Sequence, residues 1–253
     1  MAILKTEAVV MKGWKLRETS MILALYTRDY GKIKVVAKGA RDPKSKFKGC
    51  LEPLTCLNVV FYDKKNRDLQ LLSQADLVDP HVHIIGDVIK TTLALSVAEL
   101  VHRVIEGEEA NPELFDLMTG VIAAIDKGTG FLEGYLWYFE EHLMEISGYK
   151  AVWHDCLECH TSLGEKGGLF QAAKGGLFCH RCGREKGGLQ VSSETLEILF
   201  WLQQSHLDHV GELNPGTSHI AEIRKLFDLY FRTHLDHIGS LKALNMFYEL
   251  GNA

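Results

Sequence analysis

Cys156-Leu-Glu-Cys159 and Cys179-His-Arg-Cys182 are two CxxC pairs separated by 19 residues, a spacing that suits four thiolates around one zinc ion. Each pair presents two sulfurs from a tight turn, and the segment between them can return as a hairpin. Gly167-Gly168-Leu169-Phe170 and Gly175-Gly176-Leu177-Phe178 supply the turns and the apolar strand residues for it. Four thiolates on a dication leave a charge of about −2, which Lys166, Lys174, Arg181, Arg184 and Lys186 offset locally. A complete thiolate shell keeps no open position for water, so one structural zinc per chain is expected, not a catalytic one. Two other chemistries stay open on spacing alone. Cys156-x-x-Cys159-His160 fits covalent haem attachment, which would need export and an axial-ligand pocket, and either pair fits a redox disulfide. His154, His160 and His180 stand close enough in the chain to replace a thiolate. Cys50 and Cys56, with no CxxC partner, read as small buried thiols.

A second chemistry is phosphate binding. Lys32, Lys34, Lys38, Arg41, Lys44, Lys46 and Lys48 crowd seventeen positions against a single acid, Asp42. On a strand, Lys32, Lys34 and Lys38 share one face, and Gly39-Ala-Arg-Asp-Pro43 carries the remaining charge onto a mobile loop. Such cations give affinity without base specificity and a steep salt dependence. Trp14, Tyr26, Tyr30 and Phe47 are interleaved with them, as stacking surfaces or as core and rim aromatics. The charge of the whole chain, −5, conceals this asymmetry. Residues 1–70 carry 15 Lys+Arg against 7 Asp+Glu, a balance of +8, and the remainder carries −13. A polyanion is therefore the expected partner of the first third only.

Other chemical signatures are missing from the sequence. It has no GxxxxGK[ST], GxSxG or HExxH, no GxGxxG after a strand, and no nucleophile–base constellation, so no enzyme is expected. His81-Val-His83, His206-x-x-His209 and His234-x-x-His237 have metal-like spacings but read as polar surface histidines. Glu140, Glu141 and Glu145 read as a solvated helix face.

The elements that must position these groups follow from periodicity. With 253 residues, 46% hydrophobic, 24% charged and 5 prolines, the chain falls in the globular band. No apolar run approaches a membrane span, and the first residues lack a basic and then apolar leader, so a cytoplasmic, nucleoid-associated protein with no membrane partner is expected. Period-two runs mark strands at 3–12, 21–28, 32–38, 54–62 and 69–77, with Thr6, Ala8 and Val10 on one face of the first and Glu7, Val9 and Met11 on the other. Five short strands suit an OB barrel or an SH3-like one. From about residue 80 the period becomes helical, with Leu93, Val97, Leu100, Val101 and Val104 in one stripe. Asn111-Pro112-Glu113 caps a second helix that Gly128 ends, a third runs over 131–147 to Gly148, and more follow at 193–205, 218–237 and 240–250. The expected fold class is α+β multidomain: an N-terminal OB-fold β-barrel (1–79), an all-helical domain (80–150 and 191–253) and an inserted four-cysteine zinc ribbon (151–190).

Residues from both regions converge on a known family. Thr6-Glu-Ala-Val-Val10, Arg17-Glu-Thr-Ser20, Leu25-Tyr-Thr27, Gly31-Lys32, Val36-Ala-Lys-Gly-Ala-Arg41 and Leu51-Glu-Pro-Leu54 are similar to the opening barrel of the RecO family of bacterial recombination mediators. Asp155-Cys-x-x-Cys159 and Gly175-Gly-Leu-Phe-Cys179-x-x-Cys182 resemble its ribbon. His160 departs from the pattern, which has glycine after the second cysteine, and keeps a fifth metal ligand in play. The resemblance spans essentially the whole chain. It implies an OB barrel, a helical domain and a zinc ribbon, with no active site. It also implies binding of single- and double-stranded DNA, annealing of complementary strands, and loading of RecA recombinase onto strands coated with single-strand DNA-binding protein. The implied partners are RecR and that binding protein, with RecF and RecA in the same pathway. On this reading Lys12, Lys15 and Arg17 near the first turn join Lys32, Lys34, Lys38, Arg41, Lys44 and Lys46 as DNA-binding residues, and Cys156, Cys159, Cys179 and Cys182 hold the zinc. The alternative is a non-catalytic zinc-ribbon adaptor for protein interactions, without annealing activity.

Overall fold

The computed structural model describes residues 2–64, 67–105, 109–235 and 239–250. His237, one half of an expected histidine pair, lies outside them. The chain divides into two compact units, Met1–Lys127 with Lys242–Ala253, and Gly128–Leu241. Among the described residues no helix is long and apolar enough to cross a membrane.

Five strands open the first unit: β1 (Ala2–Leu16), β2 (Ser20–Thr27), β3 (Gly31–Ala37), β4 (Cys56–Asp63) and β5 (Gln70–Asp79). They close into a barrel in the order β1-β2-β3-β5-β4, antiparallel throughout except where β3 meets β5 in parallel. The alternative left open by strand count is thereby settled in favour of an OB-like barrel. Its interior is filled by one face of each strand, including Ala8, Val10, Leu23, Leu25, Ile33, Val35, Leu57, Val59, Phe61 and Leu72. β1 is long enough to pair first with β4 and then with β2. A bulge between Val10 and Lys12 shifts its register, and this turns Lys12 and Trp14 to the outside. Val9, expected opposite the core face, is nevertheless fully buried. Tyr26 stands across from it on β2, and the Phe115 ring covers Tyr26 at 5.9 Å.

The described helices are α1 (Val88–Val104), α2 (Pro112–Lys127), α3 (Glu133–Ile146), α4 (Ser193–Gln204), α5 (Thr217–His234) and α6 (Lys242–Leu250). In α1, the Asp87 carboxylate accepts from the N–H groups of Ile89 and Lys90, satisfying two donors that a helix start leaves free. α2 begins as its sequence requires. Asn111 Oδ1 accepts from Leu114 N at 2.9 Å, with Pro112 at the first helical position. Both helices and α6 belong to the barrel's unit.

In the second unit, β6 (Val152–Cys156), β7 (Gly168–Gln171), β8 (Gly176–Phe178) and β9 (Leu189–Val191) form a sheet in the order β6-β8-β7-β9. The two Gly-Gly-Leu-Phe repeats become β7 and β8 and pair antiparallel, Phe170 opposite Leu177. Trp153, Phe170 and Tyr230 pack together beside this sheet. α3 carries the departure from the expected solvated face. Glu140 and Glu141 are each 2% exposed. Gln203 on α4 donates to Glu141, and Arg224 on α5 clasps Glu133 with two bonds of 2.7 Å. Both partners are distant in sequence, so the helical period of α3 alone could not reveal that its acidic side is covered.

Candidate nucleic-acid interface and metal centre

The basic residues named from sequence for DNA binding are all in the barrel's unit, but they do different work there. On β3 the odd positions fill the core and the even ones face out, as the alternation requires. Lys34 and Lys38 are exposed. Lys32 instead sends its ammonium to the carbonyls of His102, at 3.1 Å, and Ile105, where α1 ends. A cation there satisfies carbonyls that the helix leaves unpaired. Lys12 is exposed, its Nζ 5.4 Å from the centroid of the Trp14 ring. Lys12 and Lys34 flank Ala24 in one outward row, because both are opposite it in register. Lys15 and Arg17 are exposed at the end of β1, where Arg17 takes a left-handed backbone (φ 54°) in the β1–β2 turn.

The loop after β3, expected to be mobile, is hydrogen-bonded to the β1–β2 turn. Arg41 N donates to Thr19 O at 2.8 Å, and its guanidinium donates to the carbonyls of Arg17 and Glu18. Asp42 accepts from Lys44 N, and Phe47 is buried in the barrel core. Lys46 reaches the Ser73 carbonyl on β5 at 2.5 Å. Arg41, Lys44 and Lys46 stay exposed, so the loop presents charge beside the β1–β2 turn.

Of the four interleaved aromatics, Tyr26 and Phe47 are core residues and Tyr30 packs edge-on against Phe61. Trp14 is 40% exposed. Sequence reasoning missed a further pair of cations. A groove of about 540 Å³ on the outer face is lined by Lys38 together with Lys64 and Arg67 from the β4–β5 turn, and by Val36, Tyr62 and Leu71. Asp63 and Asp68 mask that turn in a charge count, and only the β3–β5 pairing brings it near Lys38.

The cysteines behave as one site. The Sγ atoms of Cys156, Cys159, Cys179 and Cys182 all lie within 4.8 Å of one another, and Cys159 Sγ is 3.8 Å from Cys179 Sγ. An edge of about 3.8 Å is what a tetrahedron with metal–sulfur bonds of about 2.3 Å produces. These four thiolates could hold a metal ion, and this convergence of both pairs is not something haem attachment or a single redox pair would use. Cys156 closes β6 and Cys179 follows β8, whose parallel pairing draws the two CxxC turns together. Thr161 hydrogen bonds favour the Cys159 thiolate and hold that thiol down at about 5, and Cys182 N donates to Cys179 Sγ.

Among the described residues no histidine belongs to the cluster. His160 adopts φ 55°, which accounts for the glycine expected there. His180 Nε2 donates to Lys166 O, and His154 pairs with Asp155. The described histidines of the three metal-like pairs are engaged elsewhere as well. His81, expected at the surface, is 2% exposed and bonded to Leu54 O, while His83 meets Asp126. His206 and His209 pair with Asp208 and Glu212, and His234 donates to Ala172 O. Outside the cysteine cluster, Cys50 is buried, whereas Cys56 is half-buried and desolvation pushes its thiol up to about 12.

Comparison with known proteins places the whole chain in a family. The family model described as recombination protein O N terminal matches residues 1–81, and the one described as recombination protein O C terminal matches residues 85–244. A DNA repair protein RecO of Caldanaerobacter subterraneus is 30% identical over 237 residues, covering 92% of this chain and 93% of that one. One from Chloroherpeton thalassium is 27% identical over 256 residues, with 98% and 99% covered. Another from Dehalococcoides mccartyi is 29% identical over 219 residues, with 87% and 85% covered. With the two models following one another along nearly the full length, the chain belongs to the recombination protein O family.

Proposed function

We propose that this protein is a non-catalytic DNA-binding recombination mediator of DNA repair. It binds single- and double-stranded DNA on the basic face of its barrel, anneals complementary strands, and helps load RecA onto strands coated with single-strand DNA-binding protein. RecR and that binding protein are its partners, with RecF in the same pathway. The observation that carries the reading is the set of exposed cations held on and beside one barrel face, Lys12, Lys15, Arg17, Lys34, Lys38, Arg41, Lys44 and Lys46, in a chain whose family membership supports a role in recombinational repair. Lys32, whose ammonium caps α1, contributes by fixing that helix beside the face. Neutralised phosphates repel one another less, which lets two strands approach and their bases pair. One zinc ion held by Cys156, Cys159, Cys179 and Cys182 is the resident metal, because an all-thiolate tetrahedron suits zinc and leaves it a scaffold role.

The test is fluorescence anisotropy of a labelled oligonucleotide at several salt concentrations, with the full chain and with Lys38, Arg41 and Lys44 replaced by alanine. Binding should weaken alike for all sequences, and the salt slope should fall by about 2 for a single strand, at roughly 0.7 per lost phosphate contact. Unchanged binding by the triple variant would remove the basic loop from the site. No binding by the parent chain at low salt would favour the adaptor. That second reading has one observation in its favour: Leu77, Val78, Val82, Ile85 and Val88 are all exposed within twelve residues.

A further inference from the structure

The barrel's strand register assembles something that neither the charge count nor the groove shows by itself. Trp14 is opposite Ile22, Ile22 opposite Val36, Val36 opposite Leu71, and Leu71 opposite Tyr62. These five residues therefore form one cross-strand row. The neighbours Leu23, Val35, Leu72 and Phe61 point into the core, so the row itself faces outward. At about 4.8 Å per strand it runs for about 19 Å. None of its members is fully buried. Cations border it: Lys12 and Lys34 in the adjoining outward row, and Lys38, Lys64 and Arg67 in the groove that Val36, Tyr62 and Leu71 line. Asp68 is the acid in that lining.

An apolar track with an aromatic at each end and cations along its margins is matched to a particular ligand. Duplex DNA offers phosphates but keeps its base faces stacked inside, so it can use the margins and not the track. An unpaired strand offers both, and the length available fits about four nucleotides, the lower end of what one OB barrel accommodates. Resting on the reading of this unit as the DNA-binding one, we infer that the row Trp14–Ile22–Val36–Leu71–Tyr62 is a base-stacking track that makes the face select unpaired strands over duplex, with Trp14 and Tyr62 as its stacking residues. An apolar peptide is the poorer match, since it would need acidic flanks to face five cations.

The experiment uses the full chain, a labelled dT oligonucleotide and a labelled hairpin duplex. Trp14→Leu and Tyr62→Leu keep the surface apolar but remove the aromatic face. Each should weaken dT binding about tenfold, within the range for one lost stacked base, and change duplex binding less than about twofold. A second readout needs no loss of an aromatic ring. Trp137 and Trp153 are buried and Trp201 is on α4 in the other unit, so Trp14 is the barrel's own indole. Its emission should be quenched by dT, and that quenching should vanish in Trp14→Phe, which still binds. Equal losses on dT and duplex, or unchanged dT binding alongside undiminished quenching in Trp14→Phe, would overturn the track while leaving phosphate binding intact. A parent chain that binds neither ligand would overturn the DNA-binding reading and the track together.

Discussion

Glu141 is a carboxyl kept from water. It is 2% exposed on α3, with Gln203 donating to it, and burial pushes its pKa up to about 7. Glu140 beside it is raised well above the ordinary range by burial and by the charges of Glu133 and Asp228. A carboxyl that ionises near 4.5 when unfolded and near 7 when folded binds more protons in the folded state between those values. Its stabilising effect is therefore complete below about pH 4.5 and is lost as pH rises toward 7, by at most about 3 kcal/mol for such a shift. Thermal melting of the parent chain should fall between pH 5 and pH 7.5, and Glu141→Gln should flatten the decline while keeping the contact to Gln203. An identical pH slope in the variant would mean that Glu141 is ionised in the fold. The expectation of a solvated face failed here for a physical reason. Polar character at successive helical positions reports residue type, whereas burial depends on α4 and α5, whose contributing residues lie some sixty to ninety positions further along the chain.

The ribbon shows how a single backbone position secures an element. Gly167 has φ 63°, and a Cβ there would sit 2.1 Å from the Val191 carbonyl of β9. No side chain can give way, because the obstacle is backbone. Gly167→Ala should therefore destabilise the β7–β9 pairing by roughly 3 kcal/mol, a strained φ adding to a clash, and the loss should appear as a lower urea midpoint. A midpoint within error of the parent would show that β7 can shift without penalty. Elements of this kind were legible in the sequence where the signal is local. The CxxC spacing, the Gly-Gly-Leu-Phe repeats, the Asn111-Pro112 cap and the period-two strands each depend on neighbours within a few residues, and each has its counterpart in the structure. The parallel pairing of β3 with β5, more than thirty residues apart, carries no such local mark. It also brings Lys64 and Arg67 to the basic face, and so the groove was not legible. Nor was the β1 bulge, which decides that Trp14 points outward.

On the scale of the whole molecule, the cations proposed for phosphate contact and the metal-ligating cysteines fall in different units. The eight exposed cations proposed for phosphate contact precede residue 47, within the unit Met1–Lys127 with Lys242–Ala253, and the four cysteines are in Gly128–Leu241. The balance of −13 beyond residue 70 gives most of the remaining chain no general attraction for phosphate. A structural metal contributes folding free energy where it is bound, because its ligands converge only in the folded ribbon. Cys179→Ser should consequently release the metal, read by elemental analysis, and lower the melting temperature of the part that holds it. Oligonucleotide affinity and salt slope should stay within about twofold of the parent chain, since every proposed phosphate contact is still present. A metal content equal to that of the parent would mean that the thiolate cluster is not the binding site. A loss of affinity of about tenfold or more would mean that the ribbon's own cations, Arg181, Arg184 and Lys186, take a share of the phosphates. In that case the salt slope should fall along with the affinity, whereas a rearrangement that merely disturbs the barrel would change affinity at constant slope.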